Sequence, residues 1–349
     1  MKHCKQKRTA QLAQSAQLAQ PGWGLKAGVL ACGLFISSAH AEISFQFQYG
    51  DPAGMGFLDP TYGQARQAVL NTAASNFSHM FGSHFSNSGT IVLKAAATDD
   101  PYSSIMASAG SMIGPGPGTA GFNLDEVIRT KLQTGADLNG SDADGVVNIN
   151  FGKPWNTDFD TPASPDSYDF YTTLYHEFTH ALGFSSSIES SGASSFGGQS
   201  WDAFDSFITD KYGNKIIDPT TFTLSQSAWD AGSIGDYAGG GGEGLFFDGP
   251  NADAAYGNQR VTLYTPAEWN EGSSVSHIDP RMDGMGALMM GPFTGTGPRT
   301  HDYSAVEVGI LTDLGYAAVV PEPETYTMML AGLAICGWIA RRRKIRCLE

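Results

Sequence analysis

The chain has 349 residues, 35 Asp and Glu against 20 Lys and Arg, and four cysteines. Its formal net charge of −15 makes nucleic acid and anionic membranes poor partners and a divalent cation a good one. All four cysteines lie within residues 1–41 or 321–349, so the intervening segment cannot be held together by disulfides and must rely on a large core or on bound metal.

The first 41 residues predict a secretory signal peptide. They contain five basic and no acidic residues, followed by an apolar run over residues 27–36 and by Ala39-His40-Ala41, which fits an AxA cleavage site. A later start or an uncleaved anchor is the alternative. Without both ends, residues 42–320 keep 10 of the 20 basic and 32 of the 35 acidic side chains, so the exported part is strongly acidic.

The domain begins directly after the predicted cleavage site. Residues 42–49 alternate apolar and polar side chains, which predicts a half-buried strand. Residues 62–80 predict a helix whose apolar stripe contains Ala65, Ala68, Val69, Ala73 and Phe77. Strands are also predicted over residues 90–97 and 146–151, with a short helix over residues 124–134 between them. This order indicates a mixed sheet, and we expect residues 146–151 to be its edge, where an extended substrate could pair.

An acidic loop precedes the last of these strands. Its oxygen-bearing side chains alternate with small residues, as they do in calcium loops, although the bidentate glutamate of an EF-hand is missing. A plain Asp/Gly turn is favoured, with calcium as the alternative. The candidate ligands are Asp137, Asn139, Ser141, Asp142 and Asp144.

The central motif is His176-Glu177-Phe178-Thr179-His180. On a helix, two histidines four residues apart share one face and can both bind one zinc ion. Glu177 lies beside that face, where it can accept a proton from a water activated by the metal. Ser167 and Gly183 are the predicted start and end of this helix. The alternative is a buried helix with incidental polar residues.

A catalytic zinc usually has three protein ligands, so the motif needs a partner. The run from His176 to Phe184 resembles the metzincin metallopeptidases, whose short motif carries a third histidine where this chain has Ser186. Leishmanolysin-like metzincins carry it far downstream, and Ser276-His277-Ile278 resembles that arrangement. The resemblance therefore implies His277 as the third zinc ligand.

Other side chains compete for that position. Glu189, Asp202 and Asp205 are acids within reach in sequence, and His301 is a further histidine that is more typical of a satisfied loop residue. Tyr303 could stabilise an oxyanion, as a tyrosine does in some metzincins, but no spacing requires it and it is left out of the predicted site.

Two C-terminal features extend the resemblance. Residues 288–292 are similar to the methionine-bearing Met-turn under the zinc ligands, with Met289 the best match and Met290 the alternative. Residues 304–307 form a capping box that predicts a helix to Gly315. The resemblance implies an α+β, metzincin-like catalytic domain over residues 42–320, with a mixed twisted sheet, an active-site helix and a C-terminal helix after the Met-turn.

The last 29 residues predict a sorting tail. Pro321-Glu322-Pro323 precedes an apolar run over residues 325–340 and a basic cluster over residues 341–346. The run is shorter than the ~20 residues that cross a bilayer comfortably, which favours transient anchoring over a permanent span. The layout resembles the PEP-CTERM signal of Gram-negative bacteria, which implies removal of the tail by an exosortase; an ordinary tail anchor is the alternative.

These features predict a secreted or surface-displayed zinc endopeptidase, which we expect to be a monomer acting on proteins or peptides. Its predicted metal ligands are His176, His180 and His277, and its general base is Glu177. The rival hypothesis is a non-catalytic extracellular or matrix protein with a structural zinc. Hydrolysis of a non-peptide amide or ester is a third possibility, because loops decide specificity.

Overall fold

A computed structural model describes residues 43–85, 87–114, 118–124, 126–237, 241–285 and 288–316, together with Gly332. The predicted signal peptide and nearly all of the sorting tail lie outside the described residues. No helix within the described ranges is long and apolar enough to cross a membrane.

A four-stranded mixed sheet carries the N-terminal half of the domain. Its strands are Ile43–Tyr49 (β1), Gly89–Thr98 (β2), Ala107–Ser111 (β3) and Gly145–Asn150 (β4). Strand β1 is parallel to β2, β2 is parallel to β4, and β3 is antiparallel to β4, so the order is β1-β2-β4-β3. The predicted alternation in β1 holds, because Ile43 is buried while its neighbour Ser44 is exposed.

The edges of this sheet are β1 and β3, so the expectation that residues 146–151 form an edge was wrong. Strand β4 is internal, with β2 on one side and β3 on the other. Sequence patterning missed β3 because its residues, Ala-Ser-Ala-Gly-Ser, are all small and show no apolar alternation. Any extended ligand that adds to the sheet on this side must therefore pair with β3.

Helix α1 (Gly63–Phe81) packs on β1 with a different face from the predicted one. Ala73 and Phe77 are buried as expected, but Ala65 and Ala68 are exposed. Leu70 and Phe81 are buried in their place, since large side chains gain more from leaving water than alanines do. The buried face is consequently rotated relative to the predicted stripe.

Helix α3 (Phe170–Ala181) contains the histidine motif and is packed by aromatic rings. The Phe178 ring lies 5.1 Å from that of Phe45 on β1 and 5.3 Å from that of Phe77 on α1. Burial of three aromatic side chains in contact fixes the helix firmly against the sheet. The opposite face of α3 is thereby left to line a cleft.

The start of α3 differs from the prediction, and its end agrees with it. Asp169 is the N-cap, because its carboxylate accepts a 2.9 Å hydrogen bond from the backbone N–H of Thr172; Ser167 instead bonds Ser164 in the preceding turn. Gly183 follows the helix with φ of 97°, a left-handed conformation that favours glycine.

The second half of the domain has short elements joined by long loops. Residues Phe204–Phe207 form a short 3-10 turn, and Ile208 and Thr209 directly after it pair in a second sheet. The Gly-rich segment 230–244 is partly outside the described residues. Strands β7, β8 and β9 form an antiparallel sheet, while β5 and β6 form a parallel pair. The elements are α2 (Val127–Thr134), β5 (Trp155–Asn156), β6 (Tyr168–Asp169), β7 (Ile208–Thr209), α4 (Gln226–Gly232), β8 (Phe246–Phe247), α5 (Pro250–Ala255) and β9 (Val261–Thr262).

Helix α6 (Ala305–Asp313) confirms the predicted capping box. The Ser304 hydroxyl accepts a bond from the Glu307 N–H, and the Glu307 carboxylate accepts one from the Ser304 N–H. The same carboxylate accepts a 2.6 Å bond from the N–H of Met290. The cap therefore also fastens the turn that contains Met289 and Met290 to α6.

Candidate metal centre

Helix α3 supplies two of the three clustered histidines. His176 and His180 stand one turn apart on the helix face that is turned away from Phe178, and both line a cleft of about 760 Å³. Their Nε2 atoms are 3.0 Å apart. The predicted placement of both histidines on one face of a helix is thus confirmed.

The long loop after α3 places His277 beside these two histidines. Its Nε2 lies 3.1 Å from Nε2 of His176 and 3.2 Å from Nε2 of His180. The backbone around His277 is held by strand-like bonds, since its carbonyl accepts from Tyr264 and the next residue, Ile278, donates to the Met290 carbonyl. Among the described residues, these three histidines are the group that could hold a metal ion.

Each imidazole is oriented by a backbone carbonyl. The Nδ1 atoms of His176, His180 and His277 lie 2.7, 2.6 and 2.9 Å from carbonyl oxygens. A carbonyl can only accept, so each Nδ1 must carry a proton. The three partners are the carbonyls of Met289, Phe184 and Ser273.

The Nε2 atoms therefore present three lone pairs to one another. Burial lowers the pKa of all three imidazoles; the charge of His176 lowers that of His277 further, to about 3, and both neighbours lower that of His180. In neutral rings with Nδ1–H, Nε2 can only accept, so the three Nε2 atoms cannot hydrogen-bond to one another. Three lone pairs 3.0 to 3.2 Å apart could together hold a cation.

The donor set fits zinc. Nitrogens bound at 2.0–2.1 Å in tetrahedral geometry lie about 3.3 Å apart, close to the observed separations. Carbonyl bonds at the far nitrogen of each ring are also the usual outer contacts of zinc histidines. Three nitrogen ligands without a fourth protein ligand among the described residues leave a position for a water or a substrate oxygen.

Glu177 occupies the cleft beside the histidines. Its Oε2 accepts a 3.1 Å hydrogen bond from the N–H of Ala109 on β3. Burial raises the pKa of Glu177 to about 8, and the Ala109 bond opposes that rise only in part. A carboxyl group with such a pKa can both take and return a proton near neutral pH.

Strand β3 forms the opposite wall of the cleft. The Met106 carbonyl and the Met112 N–H both bond the β4 segment, so even-numbered residues face β4. The backbone groups of Ala107, Ala109 and Ser111 point away from β4, on the side of the cleft that these residues line. An extended chain lying there would find an open sheet edge next to Glu177.

The competing candidates lie outside the histidine cluster. His301 bonds both carboxylate oxygens of Asp169 at 3.1 Å, which confirms its assignment as a satisfied loop histidine. Asp205 accepts bonds from Ser186 and Ser187, and Asp202 lines a separate part of the cleft. The Tyr303 hydroxyl is buried and bonds the Thr179 hydroxyl and the Tyr175 carbonyl, both on α3.

Sequence reasoning missed the residues that act through the backbone. Met289 is buried and lines the cleft, but its visible contribution is the carbonyl that orients His176. Ala109 and the Phe184 and Ser273 carbonyls also act without their side chains. Residue identity carries no signal for such roles, so only the folded backbone reveals them.

The acidic loop over residues 137–145 contains carboxylates that already have a cation. Lys131 Nζ lies 2.9 Å from Asp137 and 3.0 Å from Asp144. Asp144 is buried and also accepts a 2.7 Å bond from the Val92 N–H. The amide of Asn139 donates to backbone carbonyls within the loop. These contacts favour the Asp/Gly turn, and calcium stays a prediction.

Comparison with known proteins identifies the C-terminal segment alone. Residues 319–344 match the family model of the PEP-CTERM protein-sorting motif. The tail is a PEP-CTERM sorting motif. It marks an exported protein of a Gram-negative bacterium and implies processing by an exosortase-type enzyme. Searches among curated proteins and among solved structures found no significant match.

Proposed function

We propose that this exported protein is a zinc-dependent endopeptidase with a metzincin-like catalytic domain. The observation that carries the proposal is the convergence of three Nε2 lone pairs, from His176, His180 and His277, beside the buried carboxyl of Glu177. A structural zinc site usually closes with four protein ligands, and the described residues supply three.

When bound, zinc would supply a Lewis acid that polarises the scissile carbonyl and acidifies a water. The protein's own groups would do the rest. Glu177 accepts the proton of the attacking water on its carboxylate and donates it to the leaving amine nitrogen. The carbonyl bonds to the three Nδ1 atoms hold the imidazoles in one tautomer throughout.

The open edge of β3 supports a peptide as the substrate. A peptide backbone can exchange hydrogen bonds with the outward groups of Ala107 and Ser111, which fixes its register beside Glu177. Such pairing does not depend on sequence, so side-chain selectivity must come from other parts of the cleft.

The test is peptide hydrolysis by the full chain. We expect cleavage of casein or a peptide library, loss of cleavage with a zinc chelator, and recovery when zinc is added back. Glu177→Gln should reduce kcat by at least about a hundredfold, as expected for loss of a general base. Glu268→Gln, the same change at an exposed position, is the control. Activity that resists both the chelator and Glu177→Gln would overturn the mechanism, and zinc binding without hydrolysis would favour the matrix-protein hypothesis.

A further inference from the structure

A second charged cluster lies in the same cleft, beyond the C-terminal end of β3. Two paired segments create it: the Gly121 N–H donates to the Gln199 carbonyl, and the Trp201 N–H donates to the Gly121 carbonyl. The residues that follow these bonds bring Glu126 and Asp202 together, and both line the cleft.

The cluster is close to the end of the histidine helix. A Cβ at Gly183, three residues after His180, would lie 2.9 Å from Oε2 of Glu126. Ser186, which follows shortly after, lines the cleft and donates to Asp205. The acidic region and the metal centre are therefore parts of one continuous cavity.

The carboxylates are unequally satisfied. Asp205 accepts bonds from the hydroxyls of Ser186 and Ser187, and Glu126 accepts a 2.7 Å bond from Nε of Arg129. Asp202 is only 5% exposed, and its buried Oδ1 has no hydrogen-bond partner among the described residues. A buried carboxylate without a partner is costly and calls for a ligand.

The charges identify the kind of ligand. Glu126, Asp202 and Asp205 form a group of three buried carboxyls, in which Arg129 bonds Glu126 and also interacts with Asp202. Burial raises the pKa of Asp202 well above its ordinary value, and the charges of Glu126 and Asp205 raise it further. The cluster therefore has more carboxyl groups than cationic groups, and a cation beside Asp202 would offset both its burial and the neighbouring charges.

An organic cation fits better than a metal ion. Arg129 already bonds Glu126 directly, so it would repel a divalent ion at that carboxylate more strongly than the single charge of a lysine or arginine side chain. Within the described part of the chain, no three acidic oxygens converge as the histidine nitrogens do. Phe196 lines the same cleft and offers an apolar ring against which an aliphatic stem can pack.

We propose that Asp202 and Glu126 form a subsite that binds the lysine or arginine side chain of a peptide substrate. This inference rests on the proposed peptidase function for its role, although the subsite can bind a cation independently of cleavage. Because Ile113 pairs with Glu126 beyond the end of β3, a peptide antiparallel to β3 would place there a residue N-terminal to the cleaved bond.

The direct test uses binding to the full chain. Nα-acetyl-arginine amide and its neutral isostere Nα-acetyl-citrulline amide are titrated calorimetrically. We expect the arginine ligand to bind at least about tenfold more tightly, as for a hydrogen bond to a charged partner. Asp202→Asn should reduce that ratio to below about two, while Asp166→Asn, the same change in an exposed loop, should preserve it. Equal affinities in the wild type would overturn the subsite without reliance on any variant.

Peptide cleavage assays distinguish the proposed subsite from the proposed peptidase function. Arginine and citrulline peptides are compared by kcat/KM, with cleaved bonds mapped by mass spectrometry. Arginine-dependent binding without hydrolysis would retain the subsite and reject the peptidase. Hydrolysis at equal rates for both peptides would retain the peptidase and reject the subsite. The subsite would also be rejected if Asp202→Asn kept the wild-type ratio of arginine to citrulline affinity while its circular dichroism spectrum was unchanged.

Discussion

Nδ1 of His176 lies 2.7 Å from the backbone carbonyl of Met289, which is 113 residues later in the chain. This bond joins the histidine helix to the turn that α6 fastens through Glu307. The Met-turn candidate therefore acts on the metal centre through its backbone. Such a role explains how a turn of apolar residues can decide the orientation of a metal ligand.

Removal of the His277 imidazole should weaken zinc binding strongly. His277→Ala deletes one of three nitrogens and leaves two, so we expect at least about a hundredfold loss of zinc affinity, more than the loss typical of an outer contact. Competition with a fluorescent zinc chelator measures the affinity. His301→Ala is the matched control, because His301 bonds Asp169 outside the cluster. Unchanged zinc affinity in His277→Ala would contradict the assignment of His277 as the third ligand.

Ser276→Ala should weaken zinc binding more mildly. The Ser276 hydroxyl accepts a 3.1 Å bond from the N–H of Ser186, the residue found where short metzincin motifs carry histidine. That bond ties the loop of His277 to the end of α3. We expect about a tenfold loss of zinc affinity, with an unfolding midpoint close to that of the wild type. Exposed Ser227→Ala is the control, and equal zinc affinities in the two variants would contradict a positioning role.

Local periodicity predicted the parts of the fold that depend on neighbouring residues. The i, i+4 spacing of His176 and His180, the alternation in β1 and the capping box at Ser304 were each readable because the chemistry lies within a few residues. The proximity of His277 to the other two histidines could not be predicted from local periodicity. It was inferred by resemblance, and the loop that delivers it is fixed by long-range bonds such as that between Ser186 and Ser276.

The features that the sequence did not predict correctly also have physical explanations. Both Ser167 and Asp169 can cap a helix, and tertiary contact with His301 accompanies the choice of Asp169. Strand β3 was missed because pairing with β4, rather than side-chain pattern, makes it a strand. The acidic subsite was also invisible, because Glu126 and Asp202 are far apart in sequence and meet through backbone pairing.

Asp169→Asn should destabilise the domain in a pH-dependent manner. Burial raises the pKa of Asp169, but bonds from His301 and the Thr172 N–H outweigh burial, so the pKa lies below the ordinary 3.8. A lowered folded-state pKa contributes stability above pH 3.8 that is lost as the pH falls through the folded value.

We therefore expect Asp169→Asn to cost about 1–2 kcal/mol of unfolding free energy at pH 7 and less at pH 3. Urea unfolding of both proteins at the two pH values measures the difference. Exposed Asp166→Asn should show no such trend. A cost that grows as the pH falls would contradict the assignment of a stabilising carboxylate.

Tyr303→Phe should separate stability from catalysis. The Tyr303 hydroxyl lies 2.5 Å from the Thr179 hydroxyl and 2.9 Å from the Tyr175 carbonyl, both on α3. Burial raises the pKa of this phenol well above its ordinary value, so the group stays protonated and serves as a structural bond. Loss of the hydroxyl should lower the unfolding free energy by about 1 kcal/mol, because Thr179 and the carbonyl each lose a partner. Once folded, the variant should hydrolyse peptides with the wild-type kcat. A fall in kcat of tenfold or more, with zinc affinity and stability intact, would instead indicate that Tyr303 moves toward the substrate as an oxyanion donor.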